Sequence, residues 1–407
     1  MADFHQNGNI AQFHNLRTRP LDELEYRLET FAQTRKISLI LPSLYSELES
    51  PALPNILSEL AKVKYLHRVI IGLDAATEEQ FRHARRFFAA LPQNHVVIWN
   101  DGPRMRALME RLDPLGLGPI EAGKGRNVWT CIGYLIACAD SAVMAIHDCD
   151  IVTYSHEMLS RLVYPVAHPA FPYHLSKGFY PRVAGNRLGG RVTRNLVSPL
   201  LIALKKVVGD RDYIDYLRAF RYPLSGEFAM RTATLPDLRM PSDWGLEIGV
   251  LSEAWRNLGP RAVCQVEIAD TYDHKHQDLS PEDAESGLNR MSLDICKAIF
   301  RKLAADGTVF SPNVFRTLKA TYYRRALDML DVYSHDAQMN GLSFDRHAEE
   351  RSIALFAENI MQAGQVFLDK PQELPFIPNW NLVNAADPAF LTDFRTAVAA
   401  DMAETAP

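Results

Sequence analysis

Two aspartates that follow a short apolar segment are the residues of this sequence best placed to do chemistry. Residues 142–146 have the composition of a buried strand. Asp148 follows His147 directly, and Asp150 comes two residues later. Where a strand ends, the backbone can turn and direct both carboxylates towards one cation. Carboxylate oxygens are ligands that Mg2+ prefers, and a bound Mg2+ often contacts phosphate oxygens. The segment therefore predicts a site for Mg2+ or Mn2+ and a diphosphate; the alternative is an ordinary turn with solvated side chains.

A further metal ligand is available in the polar segment 270–277, which contains His274, Lys275 and His276. A neutral imidazole is a common metal ligand, and the lysine adds positive charge for a phosphate. We therefore interpret His274 as a candidate metal ligand. The alternative is that these side chains have a structural role.

Two glycine-containing segments precede predicted helices and have the composition of anion sites. Gly123 and Lys124 stand before the helix predicted at 124–139, without the spacing of a P-loop. Gly190 and Arg191 stand at the start of the helix predicted at 191–208. Arginine at a helix start opposes the helix dipole, so an anion bound there would explain it. For the first segment the alternative is a glycine-rich turn that enters the helix. For the second it is a surface arginine that points to water.

The elements that position these residues alternate between strand and helix. Apolar segments predict strands at 37–42, 69–74, 95–100 and 142–146, and helical periodicity occupies the intervals at 56–63, 77–90 and 124–139. This alternation is typical of an α/β fold with a mostly parallel sheet flanked by helices. Ligands bind such sheets outside the carboxyl ends of the strands, where Pro42, Asp74 and Asp148 fall.

The rest of the chain divides by its pattern. We expect an N-terminal extension at 1–36, a catalytic domain at 37–285 and a helical C-terminal region with its tail at 286–407. The catalytic domain would contain a nucleotide half at about 37–150 and an acceptor half at about 151–285. We expect the proline-rich tail after Pro371 to lie over the surface.

Composition excludes several classes of protein. The 407 residues are 47% hydrophobic and 23% charged, as in ordinary globular proteins, and the net charge of -5 argues against a nucleic-acid-binding protein. The five cysteines form no C-x-x-C pair, which favours reduced thiols and a cytoplasmic location. Neither a secretory signal nor a membrane span is expected.

Four segments, in this order, resemble the glucosyl-3-phosphoglycerate synthases, which are retaining glycosyltransferases of the GT-A fold. They are 190–193 (Gly-Arg-Val-Thr), 223–227 (Pro-Leu-Ser-Gly-Glu), 243–249 (Asp-Trp-Gly-Leu-Glu-Ile-Gly) and 274–276 (His-Lys-His). The resemblance covers most of the chain, from about residue 37 to the tail. Mannosylglycerate synthases share part of it.

The resemblance implies a role for individual residues. For the nucleotide sugar it implies a set of residues from the strand ends and their loops: Pro42, Ser43, Glu47, Asp74, Gly123, Lys124, Asp148 and Lys275. It implies Asp150 and His274 as metal ligands, and Asp150, Glu227 and Glu247 as catalytic residues. The phosphoglycerate acceptor would bind to Gly190, Arg191, Val192 and Thr193. The sequence at 73–76 departs from the family pattern, which leaves GDP-glucose and UDP-glucose both open as donor.

The implied reaction moves glucose with retention from GDP- or UDP-glucose to 3-phospho-D-glycerate and gives glucosyl-3-phosphoglycerate, a step towards glucosylglycerate. It would require Mg2+ or Mn2+, and the helical C-terminal region is expected to support a homodimer. Mannosyl transfer, transfer to free glycerate and a non-catalytic nucleotide-sugar-binding protein are the alternatives. The residues do not decide between a covalent intermediate and same-face attack.

Overall fold

The computed structural model of the chain describes residues 9–118, 120–273, 287–371 and 376–404. The strands found in these ranges are β1 (Ala11–Phe13), β2 (Ile37–Leu44), β3 (Leu66–Asp74), β4 (His95–Trp99), β5 (Val143–Ile146), β6 (Leu175–Phe179), β7 (Val183–Ala184), β8 (Arg187–Leu188), β9 (Phe228–Arg231), β10 (Met240–Pro241), β11 (Val263–Glu267) and β12 (Phe376–Ile377).

Eight of these strands form one sheet in the order β1-β11-β6-β9-β5-β2-β3-β4. Strand β9 is antiparallel to both of its neighbours, and the other neighbouring pairs are parallel. The predicted mostly parallel α/β sheet is therefore confirmed. Its four predicted strands lie side by side as β5, β2, β3 and β4, so their carboxyl ends meet at one edge. Two small antiparallel pairs, β7-β8 and β10-β12, lie outside the sheet.

Helices flank the sheet and make up most of the C-terminal region. Their bounds are α1 (Leu21–Ala32), α2 (Ala52–Leu60), α3 (Glu78–Phe88), α4 (Pro103–Glu110), α5 (Lys124–Cys138), α6 (His156–Ala167), α7 (Ser198–Val208), α8 (Asp212–Ala219), α9 (Leu246–Asn257), α10 (Gly287–Ala305), α11 (Pro312–Met339), α12 (Arg346–Asp369), α13 (Trp380–Ala386) and α14 (Phe390–Glu404).

Alternate residues of the central strands pack into two hydrophobic cores on opposite faces of the sheet. Ile40 of β2 and Ile70 of β3 lie in the core that contains Trp129 of α5. Leu41 of β2 lies in the other core, together with Phe81 of α3. Because both faces of a parallel sheet are covered, its central strands are mainly apolar. This explains why residues 37–41 show no alternation of polar and apolar residues.

Local capping signals in the sequence fix several helix starts. Thr77, the first residue of the helix predicted at 77–90, forms a capping box with Gln80 at the start of α3. The side chains of Ser311 and Asp345 accept backbone N–H bonds at the starts of α11 and α12. These caps satisfy N–H groups that have no partner within a helix.

The segment expected to be an N-terminal extension is integrated into the fold in its described part. Strand β1 pairs with β11 as the edge strand of the main sheet, and α1 packs on α6. The polar composition of residues 1–36 conceals this strand, because an edge strand of three residues needs little apolar surface. The division of the chain into domains stays a prediction.

The expectation that the tail lies over the surface is wrong for residues 376–404. Trp380 is 1% exposed and its ring stacks on Trp129 of α5, with ring centroids 4.0 Å apart. Its indole N–H donates to the Trp129 carbonyl, and Trp129 donates to the Pro378 carbonyl. The tail therefore packs against α5 on one face of the main sheet.

No helix in the described ranges is long and apolar enough to cross a membrane. All five cysteines are free thiols.

Candidate active site

Several of the predicted donor-site residues lie at the carboxyl edge formed by β2, β3 and β5. Pro42 and Ser43 lie near the end of β2, Asp74 ends β3, and the Asp148–Asp150 segment follows β5. Since these strands are parallel neighbours, the structure places them at one edge, as the strand pattern predicts.

Lys124 is the centre of an ion-pair cluster at this edge. Its ammonium lies 2.8 Å from an oxygen of Asp148 and 3.3 Å from an oxygen of Glu247. Burial opposes the charge of Lys124, but the two carboxylates outweigh it and raise the pKa of Lys124 above its usual value. A lysine at the first position of a helix opposes the helix dipole, and these two carboxylates account for it. The structure thus brings together Lys124, Asp148 and Glu247, which lie in three different segments of the sequence.

The loop before β9 brings Glu227 to the same cluster. Gly226 lies so close to Asp148 that a Cβ on this glycine would stand 2.3 Å from a carboxylate oxygen. The glycine is therefore required for close approach of the two segments. Because Gly226 contacts Asp148, the next residue, Glu227, also lies close to the Asp148 segment.

Glu227 is fully buried and held by two tyrosines. The hydroxyl of Tyr180 donates to one carboxylate oxygen at 2.6 Å, and the hydroxyl of Tyr272 donates to the other at 2.7 Å. The two rings stack with their centroids 3.7 Å apart. Burial and the charge of Asp148 raise the pKa of Glu227, although the two hydroxyls act in the opposite direction. The arrangement fixes this carboxylate in one orientation.

A buried lysine lies on the sheet near these acids. Lys177 of β6 is 1% exposed, donates to the carbonyl of Ser225 and lies 5.5 Å from the centre of the Phe228 ring. Burial lowers the pKa of Lys177 to about 8, although the charges of Glu247 and Glu227 oppose the shift. Lys177 thus ties the loop that carries Glu227 to the sheet.

This pKa predicts a pH dependence of stability. Below pH 8 the folded protein holds a buried ammonium, and above pH 8 it releases the proton while the unfolded chain keeps it up to about pH 10.4. The unfolding free energy of the wild type should therefore rise, relative to that of Lys177→Met, by about 3 kcal/mol as the pH increases through this window. Urea unfolding of both proteins at several pH values measures it. A constant difference between the two proteins would show that Lys177 does not titrate there.

A second polar cluster lies at the ends of β3 and β4. One oxygen of Asp74 accepts from Asn100 at 2.8 Å and from Arg126 at 3.1 Å, and Arg126 also contacts Asp101 at 3.2 Å. Burial raises the pKa of Asp74, against the charge of Arg126. Arg126 and Lys124 both lie in the first turn of α5, so one helix start serves both clusters. Gly123 is the residue before this helix.

The remaining predicted residues of the donor half lie beside the acidic segment. Ser43 is buried and donates to the carbonyl of Leu44. It also forms a hydrogen bond with Cys149, whose pKa burial raises well above its usual value. Glu47 lies in the single helical turn Tyr45–Glu49 after β2, and Pro42 pairs with Gly72 in the sheet. These contacts place the first-strand loop against the Asp148–Asp150 turn.

His274 and Lys275 lie outside the described residues. The described chain reaches the acidic segment at Asp273, whose carbonyl accepts from the Val152 N–H at 2.9 Å. The N–H of Asp273 donates to the side chain of Thr153.

Asp150 offers the chemistry that a divalent ion requires, because its carboxylate is a hard oxygen ligand at the strand end. In the described ranges, no three His, Cys, Asp or Glu side chains gather into a group able to hold a metal. Asp148 is engaged with Lys124. The residues fit a divalent ion that Asp150 would hold, with its remaining ligands supplied from outside the described residues.

The predicted acceptor segment lies at the start of a helix, as expected, but its arginine has a partner. Gly190 has a left-handed φ of +67°, which favours glycine, and residues 193–197 form a π-helical turn that continues into α7. The Nε of Arg191 donates to Glu349 of α12 at 3.2 Å. Arg191 is therefore not the freely solvated arginine of the alternative interpretation. Val192 and Thr193 are buried.

Glu349 is a buried carboxylate that organises this segment. It accepts from Asn195 at 2.6 Å and lies 3.2 Å from a terminal nitrogen of Arg194, in addition to its contact with Arg191. Thr193 is 6% exposed, and its hydroxyl has no hydrogen-bond partner among the described residues. A buried hydroxyl without a partner is costly and therefore suits a ligand.

Sequence reasoning missed several residues that shape the site. Arg126 had a signal, since it stands in the same glycine-rich helix start as Lys124. Lys177, Tyr180 and Tyr272 had none, because nothing local marks which strand residues face a carboxylate fifty residues away. Glu349 belongs to the C-terminal region and meets the acceptor segment only through the tertiary fold.

Two relatives match nearly the whole chain. A glucosyl-3-phosphoglycerate synthase from Persephonella marina is 44% identical over 401 residues, which are 98% of this chain and 99% of the relative. A glucosyl-3-phosphoglycerate synthase from Methanococcoides burtonii is 36% identical over 94% of each chain. No protein-family model matches the chain.

Solved structures support the fold. The glucosyl-3-phosphoglycerate synthase from Mycobacterium tuberculosis in complex with phosphoglyceric acid superposes with a TM-score of 0.53 at 23% identity, covering 75% of this chain and 90% of that one. Its complex with Mn2+, UDP and glucosyl-3-phosphoglycerate gives a TM-score of 0.52 at 22% identity over 74% of this chain and 90% of that one. The GT-A fold is thereby confirmed, and on the full-length similarity the chain belongs to the glucosyl-3-phosphoglycerate synthase family.

Proposed function

We propose that this protein transfers glucose, with retention of configuration, from a nucleoside diphosphate glucose to 3-phospho-D-glycerate. The observation that carries the proposal is the joining of Lys124, Asp148, Glu247 and Glu227 at the carboxyl edge of a GT-A sheet. Its family relatives bear the name of this activity over their full length. A binding protein without activity would not need three carboxylates held at one reacting centre.

The nucleotide would bind along the strand ends. Pro42, Ser43, Glu47 and Asp74 line the base and ribose side in this proposal, and Gly123 and Asp148 lie on the diphosphate side. Lys124 is charged and already positioned by two carboxylates, so it contributes a fixed positive charge towards the leaving diphosphate. Lys275 would add a second one.

A divalent metal, Mg2+ or Mn2+, would bind to Asp150 and His274 and neutralise negative charge on the leaving diphosphate. The hydrogen bonds of Asp273 with residues 152 and 153 support this pairing, since they bring the residue before His274 to the acidic segment. The metal complexes of the mycobacterial enzyme contain Mn2+ or Mg2+ with UDP.

The acceptor would bind at 190–193. In the described part of the chain, the side chain of Arg191 makes one hydrogen bond, from Nε to Glu349. Its two terminal NH2 groups remain for bidentate contact with a phosphate. The buried Thr193 hydroxyl and the backbone N–H groups of a helix start supply further donors.

The reaction then depends mainly on how the acceptor hydroxyl is positioned against the anomeric carbon of the donor. The acceptor hydroxyl forms a bond to the anomeric carbon, the bond to the diphosphate oxygen breaks with its electron pair on that oxygen, and the hydroxyl proton leaves to a phosphate oxygen or a carboxylate. Both oxygens of Glu227 accept tyrosine hydroxyls, which favours a role in binding sugar hydroxyls over nucleophilic attack. Glu247 keeps Lys124 in place. Orientation of this kind accounts for a large part of enzymatic rate enhancement.

Arg191→Ala is expected to weaken 3-phosphoglycerate binding by about 1.5–3 kcal/mol, the value of a hydrogen bond to a charged group. KM for phosphoglycerate should rise while the rate with free glycerate changes little, because glycerate has no phosphate. Arg187→Ala, which removes an exposed arginine of β8, is the matched control. An unchanged KM for phosphoglycerate would show that the phosphate binds elsewhere.

The proposal is tested by mixing the protein and Mg2+ with UDP-glucose, GDP-glucose or the corresponding mannose donors, and with phosphoglycerate or glycerate. We expect mass detection of glucosyl-3-phosphoglycerate with at least one of the two glucose nucleotides. Product only with a mannose donor or only with glycerate would support mannosylglycerate synthase-like activity. Binding of nucleotide sugar without product would support the non-catalytic alternative. The homodimer and the cytoplasmic location stay predictions.

A further inference from the structure

The acceptor proposed above carries two anionic groups, and Arg191 accounts for only one of them. In 3-phosphoglycerate the phosphate stands at one end, and the carboxylate stands at the other, on the carbon next to the reacting hydroxyl. A cation for the carboxylate must therefore lie close to the sugar site and within reach of an acceptor whose phosphate is bound at 190–193.

Arg182 lies between these two places. Its carbonyl accepts from Gly189 at 2.7 Å, and Gly190 packs against its side chain, since a Cβ on Gly190 would stand 3.4 Å from the Arg182 Cγ. At the other end, the guanidinium carbon lies 5.4 Å from the centre of the Tyr272 ring, and the hydroxyl of that tyrosine donates to Glu227. One residue thus contacts both the acceptor segment and the support of the sugar-site carboxylate.

Among the described residues, the guanidinium of Arg182 has a hydrogen-bond partner but no carboxylate partner. Its NH1 donates to the hydroxyl of Tyr222 at 3.1 Å. No carboxylate of the described ranges forms a salt bridge with it, whereas Arg191 and Arg194 both pair with Glu349. A half-buried guanidinium that no described carboxylate pairs with suits an anionic ligand, because pairing offsets the cost of its partial desolvation.

We propose that Arg182 binds the carboxylate of the acceptor and so places the adjacent hydroxyl against the donor sugar. This inference rests on the proposed function, because it assigns a residue to the acceptor of that reaction. Arg182 and Arg191 then divide the substrate between them, one for each anionic group. Two fixed points at opposite ends leave the hydroxyl little freedom to turn.

The test is a comparison of ligands with and without the carboxylate. Glycerol 3-phosphate keeps the phosphate and the hydroxyl of the acceptor but has a neutral CH2OH in place of the carboxylate. Dissociation constants for 3-phosphoglycerate and glycerol 3-phosphate are measured calorimetrically on the full chain with Mg2+ and nucleoside diphosphate, and kcat and KM for phosphoglycerate are measured alongside.

For Arg182→Met we expect a loss of about 10- to 100-fold in phosphoglycerate affinity, the range for a charged hydrogen bond. Affinity for glycerol 3-phosphate should change by less than about 3-fold. Arg182→Lys should recover part of the loss, and Arg187→Met should change neither ligand. If glycerol 3-phosphate is too weak to measure, inhibition by inorganic phosphate supplies the comparison without a carboxylate.

An equal loss for both ligands, or no loss for phosphoglycerate, would overturn the assignment. If Arg182→Met does not fold, Arg182→Lys alone decides, because a structural role would leave the ratio of the two affinities unchanged. Failure of the proposed function would be seen separately, as absence of glucosyl transfer by the wild type.

Discussion

Asp150→Asn is expected to reduce glucosyl transfer by about 100- to 1000-fold, the usual effect of removing one group that stabilises charge in a transition state. The neutral amide keeps the shape of the side chain but loses the negative charge that a divalent ion requires. Initial rates at saturating donor and phosphoglycerate, over a range of Mg2+ and Mn2+ concentrations, measure the effect. Excess metal should restore only part of the rate.

The matched control for this variant is Asp140→Asn. Asp140 precedes β5 at the opposite end of the strand and pairs with Arg68 at 2.7 Å, so its loss removes an acidic residue from the same strand at the other edge of the sheet. We expect Asp140→Asn to keep the wild-type rate per folded molecule. Full activity of Asp150→Asn, or of the wild type in excess chelator, would contradict the metal site.

Glu349→Ala is expected to lower the unfolding free energy by about 3–5 kcal/mol, because it leaves buried positive charge without its partner. Glu349 is 6% exposed, and the side chain of Arg194 is 11% exposed. The same variant should raise KM for phosphoglycerate, since Arg191 loses the contact that orients its terminal groups. Urea unfolding and steady-state kinetics on the same preparation measure the two effects.

Its neighbour on α12 provides the control. The side chain of Glu350 is 38% exposed and pairs with Arg346 one turn earlier, so Glu350→Ala should cost no more than about 1 kcal/mol. Glu349→Gln should be milder than Glu349→Ala, because the amide oxygen can still accept a hydrogen bond. If Glu349→Ala and Glu350→Ala proved equally stable, the buried carboxylate would not organise the acceptor segment.

The sequence was most informative where local chemistry decides the structure. Residues 37–41 are apolar except for Ser38 because β2 is covered on both faces, and the helix predicted at 77–90 begins with the Thr77 capping box of α3. The strand ends are equally local, which is why the sequence alone places Asp74 and Asp148 at one edge of the sheet.

Long-range contacts were beyond local reasoning. The hydrogen bonds from Tyr180 and Tyr272 to Glu227 join residues 47 and 45 positions apart, and neither tyrosine stands in a motif with chemical meaning. The pairing of Arg191 with Glu349 spans 158 positions. The prediction that the proline-rich tail lies over the surface failed for a related reason. Trp380 is buried by stacking on Trp129 of α5, which lies about 250 positions earlier in the chain. Such contacts depend on the topology of the fold, which a short segment of sequence does not specify.

The metal site can be observed directly by anomalous diffraction from crystals of the protein with Mn2+ and a nucleoside diphosphate. The central claim predicts an anomalous peak about 2.1 Å from an Asp150 oxygen, the distance typical of small divalent ions, in contact with the diphosphate and next to His274. A peak away from Asp150, or nucleotide bound at the strand ends with no metal between it and that carboxylate, would contradict the claim.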